Sequence, residues 1–75
     1  MNKATIANLV KFRADLEHIS AALGGIFSNE EEAYENLSEA SQEGDKGSEL
    51  QDCMNALSEA IGNIDSAIEQ LETIS

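Results

Sequence analysis

The sequence predicts an all-α fold, an antiparallel helical hairpin that associates into a four-helix bundle or a similar oligomer. Three observations carry this expectation. Apolar residues recur at seven-residue intervals in two long segments, the pattern of packed helices. The segments are separated by SQEGDKG, residues 41–47, which has two glycines and no apolar residue. The apolar stripe on each segment is three positions wide, more than one neighbouring helix covers.

The first helix is expected over residues 2–40. One apolar series is Leu9, Leu16, Leu23 and Leu37, interrupted by Glu30; the other is Phe12, Ile19, Ile26 and Ala33. Ile6, Phe27 and Tyr34 widen the stripe beside that seam. Gly24 and Gly25 fall mid-segment, where each costs about 1 kcal/mol against alanine. Ser28 with Glu31 matches a capping box, a second reason to expect a kink or a break. The heptad phase nevertheless continues unchanged across the glycines, and both occupy outward positions. The expectation is therefore one long helix, with any bend at Gly24-Gly25.

The connector is expected over residues 41–48, where the polar and glycine residues supply turn chemistry. Ser48 with Gln51 makes a second capping box, and Glu49 and Asp52 place negative charge near a helix N-terminus, where the macrodipole favours it. The second helix is expected over residues 49–74. Met54, Ile61 and Ile68 form one series, and Leu50, Leu57, Ile64 and Leu71 form the other, without interruption. Cys53, Ala60, Ala67 and Ile74 flank the seam, while Asp52, Glu59, Asp65, Glu69 and Glu72 lie on outer positions.

Folding these helices about a turn near Gly44 puts residue 75 level with about residue 13, so the first dozen residues overhang. Burying side chains such as Ile6, Leu9, Val10 and Phe12 stabilises by roughly 1.5 to 3 kcal/mol each. Their exposure would forgo much of the stability open to a 75-residue chain. The expected oligomer or partner interface comprises Ile6, Leu9, Val10, Phe12, Phe27 and Tyr34. The remedies are a homodimer with each overhang packed on the other subunit, which is the favoured state, a fold-back at Gly24-Gly25, or capture by a foreign protein.

Composition narrows the function. With 15 acids against 4 bases and a formal net charge of -11, the chain is unsuited to direct contact with nucleic acid or an anionic membrane. A basic protein surface is the complementary partner, and Glu59, Asp65, Glu69 and Glu72 are the expected acidic surface. The bases are segregated, with Lys3, Lys11 and Arg13 ahead of the long acidic run and Lys46 behind it. One cysteine gives no intrachain disulfide. No apolar run approaches the roughly 18 residues of a spanning helix, and the N-terminus lacks signal-peptide features. A soluble, cytoplasmic protein, comprising a single domain over residues 1–75, is expected.

No catalytic constellation emerges, and neither a cofactor nor a metal is expected. Glu17-His18 lacks the Glu-x-x-His spacing of bundle metal sites, and His18 falls outward. Cys53 reads as a small packed side chain at the stripe edge. The run Glu30, Glu31, Glu32, Glu35 and Glu39 has no calcium-binding loop around it. Asn36-Leu37-Ser38 is a glycosylation sequon without a secretory route.

Over about residues 30–72 the chain resembles small acidic all-helical proteins of bacteriophages and integrated bacterial elements. The matching residues are Glu31, Tyr34, Asn36, Leu37, Glu39, Gly47 and the heptad helix from Leu50 to Leu71. Gly24-Gly25 departs from that pattern, as does Ser38, where a proline is common. The resemblance implies a phage or mobile-element setting and brings no established activity with it. The expected function is that of a non-enzymatic, self-associating interaction protein that binds and inhibits a host protein. Mimicry of nucleic acid requires acids from several helices to converge, because one helix carries far fewer charges than DNA's one per roughly 1.7 Å. One alternative is a structural or assembly oligomer. Another is an oligomeric sponge for a small phosphorylated ligand, with Lys3, Lys11 and Arg13 gathered at a subunit junction.

Overall fold

The computed structural model describes residues 1–74 and shows an all-α hairpin. Helix α1 spans Lys3–Glu35, α2 spans Glu39–Glu43 and α3 spans Asp45–Ile74. The molecule is a rod of 58 × 14 × 13 Å, with α1 and α3 packed along its length and α2 against α3 at the turn.

α1 starts where Asn2 caps it, its side-chain oxygen accepting from the Thr5 backbone N–H at 2.8 Å. It then runs for 33 residues without a break, so Ser28 and Glu31 are interior helical residues and form no cap. Nothing lies within 4 Å of where a Cβ would stand on Gly24 or Gly25. Neither glycine is required by close approach, and i→i−4 hydrogen bonding outweighs their lower propensity in a helix this long.

The connector, residues 36–44, lies earlier in the chain and is more helical than its composition suggests. α1 ends at Glu35, earlier than the expected residue 40, as the Leu37 N–H turns back to the Tyr34 carbonyl at 3.1 Å. Ser38 then caps α2, its hydroxyl accepting from the Ser41 N–H at 3.2 Å. The Gln42 side chain donates to the same Tyr34 carbonyl at 3.0 Å, giving this acceptor at the end of α1 a second partner. α3 begins at Asp45, whose carboxylate lies in the first turn, and the Ser48 N–H already bonds the Gly44 carbonyl. Ser48 is thus an interior residue of α3, and its expected capping box with Gln51 does not form.

Gly47 is needed for space. It is buried, and a Cβ built there would sit on the Gln42 carbonyl, 2.6 Å from Gln42 Cα. No described residue, glycine included, has a positive φ. The glycines that resembled turn chemistry therefore serve no left-handed conformation.

The seam between the helices follows α3 as expected and α1 with a correction. On α3, Leu50, Met54, Leu57, Ile61, Ile64 and Leu71 are half-buried and Ile68 is buried. On α1 the inward residues are Leu9, Leu16, Leu23 and Glu30 in one column and Arg13, Ser20, Phe27 and Tyr34 in the other. The column expected to share the seam, Phe12, Ile19, Ile26 and Ala33, lies outside it. Two hydrogen bonds fix the register. The Ser20 hydroxyl donates to Asp65 Oδ1 at 2.8 Å, and Gln51 Nε2 donates to the Tyr34 hydroxyl at 3.0 Å, two heptads along α1 and two back along α3. Ser20 is tolerated in the seam because its hydroxyl has that partner. Extending the register places Ile74 level with Lys11 and Phe12.

Candidate interaction surface

An antiparallel pair of heptad helices has two flanks, each built from the columns bordering the seam on both helices. On one flank stand Phe12, Ile19, Ile26 and Ala33 of α1 beside Cys53, Ala60, Ala67 and Ile74 of α3, an apolar surface from end to end. On the other stand Val10, Glu17, Gly24 and Glu31 beside Gln51, Ser58, Asp65 and Glu72, a mainly polar one. The apolar flank remains open. Phe12 is 50% exposed, and Ile19, Ile26 and Ile74 are each 47% exposed, while Ile68 is the buried hydrophobic core residue. Cys53, expected as a packed side chain, is exposed on this flank.

The six residues expected at an interface separate into two groups. Phe27 and Tyr34 are half-buried in the intrachain seam, where Tyr34 is held by Gln51 and Phe27 borders Met54 in an open groove. Leu9 is half-buried at the open end, and Ile6, Val10 and Phe12 remain exposed. Lys11 Nζ sits 5.8 Å from the centre of the Phe12 ring, a weak cation–π contact at an exposed site. The sequence reading placed Ile19 and Ile26 in the seam, and so missed them as surface residues. Phe27 and Tyr34 one column over were the available signal, because two bulky aromatics compete for the same seam.

Charge is distributed by end. Residues 28–54 carry nine acids against Lys46 alone, so the turn end of the rod is strongly negative. The open end has Lys3, Lys11 and Arg13; Lys11 pairs with Asp15 at 3.0 Å, and Arg13 approaches Glu17 at 4.0 Å. Both pairs are spaced i,i+4 on one helix face and contribute a few tenths of a kcal/mol each. The expected acidic surface does not converge. Glu59, Asp65, Glu69 and Glu72 are exposed but take different positions round α3, and Asp65 accepts from Ser20.

The groove lined by Phe27, Gln51, Met54, Asn55 and Ser58, of about 470 Å³, holds no ionisable side chain. His18 is exposed on the outer face of α1. Among the described residues no three His, Cys, Asp or Glu side chains come together in a way that could hold a metal ion. No described helix is long and apolar enough to cross a membrane. Comparison with known proteins finds no matching family, curated protein or solved structure.

Proposed function

We propose that the chain is a non-enzymatic, acidic interaction protein that self-associates and binds a basic surface on another protein, inhibiting it. The observation that carries this reading is the charge of the turn end, nine acids to one base on the tip of a 58 Å rod. Acids from α1, α2 and the start of α3 meet there: Glu30, Glu31, Glu32, Glu35, Glu39, Glu43, Asp45, Glu49 and Asp52. Convergence of this kind makes a more concentrated field than any single helix face. Glu59, Asp65, Glu69 and Glu72 extend the negative potential along α3. The resemblance of residues 30–72 to small acidic phage proteins supports a setting in the bacterial cytoplasm and a host protein as target.

The test is retention of basic protein from bacterial lysate on the immobilised chain. Retention at low salt, release at raised salt, and loss on changing Glu30, Glu31, Glu32 and Glu35 to glutamine are expected. Retention that ignores both salt and these substitutions would count against the reading.

A second reading, a structural or assembly oligomer, is favoured by a different observation, the open apolar flank with Phe12, Ile19, Ile26 and Ile74 about half-exposed. It shares the self-association and dispenses with the basic partner. A sponge for a phosphorylated ligand has less support, because Lys11 and Arg13 already lie beside Asp15 and Glu17. A nucleotide panel in a thermal-shift assay tests it, with no stabilisation expected.

A further inference from the structure

We infer that the flank formed by Phe12, Ile19, Ile26 and Ala33 with Cys53, Ala60, Ala67 and Ile74 is the seat of a second copy of this chain, related by a two-fold axis running along the rod. The inference rests on the self-association proposed above and assigns it a surface and an orientation.

The area argues for an occupant of this size. The chain exposes 5300 Å². A folded monomer of its 8.0 kDa mass exposes about 4,450 Å² on the usual scaling of surface with mass. The excess of about 850 Å² is close to the roughly 800 Å² that each partner contributes to a stable protein–protein interface. The radius of gyration, 17.1 Å against about 11 Å for a compact domain of this length, shows where the excess comes from. Two helices side by side leave their third apolar column uncovered.

The occupant is a second copy because the flank is complementary to itself. In the hairpin register the two columns stand level, Phe12 with Ile74, Ile19 with Ala67, Ile26 with Ala60 and Ala33 with Cys53. The middle of the flank is thus a ridge of isoleucines beside a trough of alanines. A two-fold axis along the rod lays α1 of each copy over α3 of the other, so Ile19 meets Ala67 and Ile26 meets Ala60, twice over. A two-fold axis across the rod would instead stack isoleucine on isoleucine and alanine on alanine, overpacking one column and leaving voids in the other. The chosen arrangement makes all adjacent helices antiparallel and covers the Leu9, Leu16 and Leu23 column from its open side. It also sets both acidic turn ends together, so added salt tightens the dimer.

The lone cysteine reports the orientation. With the axis along the rod, the two Cys53 side chains lie level across the bundle, within reach of a thiol crosslinker of about 10 Å, roughly one helix-to-helix spacing. With the axis across the rod they are separated by about 30 Å, from the helical rise of 1.5 Å per residue. The experiment combines crosslinking of the wild-type chain by a short bis-maleimide with light scattering on two variants. Ile19→Glu with Ile26→Glu alters the flank, and Asn55→Glu with Ser58→Glu adds the same charge elsewhere. Expected are a crosslinked wild-type dimer, a monomeric flank variant and a dimeric control. A flank variant that stays dimeric overturns the assigned face while leaving self-association intact. A wild-type dimer that does not crosslink overturns the orientation, and a monomeric wild-type chain overturns both readings. Should the flank variant lose its helical circular dichroism, the wild-type crosslink decides.

Discussion

Gly47 shows how one missing methyl group positions an element. The Gln42 carbonyl occupies the space a Cβ would need, and backbone cannot move aside as a flexible side chain can. Gly47→Ala should therefore destabilise by about 1 to 3 kcal/mol, the usual cost of overpacking, despite alanine's better helix propensity. Gly62→Ala is the control, because nothing lies within 4 Å of its Cβ position, and it should stabilise by about 1 kcal/mol. Urea denaturation of both variants checks the pair, and equal stabilisation by both would show that α2 does not pack on α3 this way. Tyr34 carries a smaller term. Tyr34→Phe removes the acceptor for Gln51 and should cost about 0.5 to 1 kcal/mol in the same measurement, since the bond is exposed.

At the scale of the element, α1 is continuous although Gly24 and Gly25 sit near its middle. Replacing both by alanine should stabilise by about 1 kcal/mol each, raising the melting temperature by roughly 4 to 8 °C per substitution in a domain this small. A fall in melting temperature would mean that the chain needs a bend there. The sequence made this continuity legible because the Leu9, Leu16 and Leu23 column keeps its phase through the glycines. α3 was legible for the same reason, as its two series have no polar exception. The end of α1 and the start of α3 were less so. Ser38 and Ser48 are both good caps by residue type, but only Ser38 stands at a helix start, its hydroxyl accepting from the Ser41 N–H, while Ser48 lies inside α3. The second column of α1 was hidden by Arg13 and Ser20. Apolar counting selects Phe12, Ile19 and Ile26 over a column with two polar members, yet Ser20 finds a partner in Asp65 across the seam, where no local pattern could show it.

For the whole molecule, the governing facts are a three-column apolar stripe on each helix and a net charge of -11. The charge opposes compaction and association alike, so raised salt should increase the melting temperature while weakening any complex with a basic partner. Thermal unfolding and partner retention measured across the same salt series separate these two effects. The stripe sets the architecture. A hairpin alone covers two columns per helix and leaves the third half-exposed, and in the dimer we propose a second hairpin covers the rest. Sedimentation equilibrium of the wild-type chain over a range of micromolar concentrations tests this most directly. A mass of twice the 8.0 kDa chain is predicted, and a mass that stays at 8.0 kDa at every concentration would contradict it.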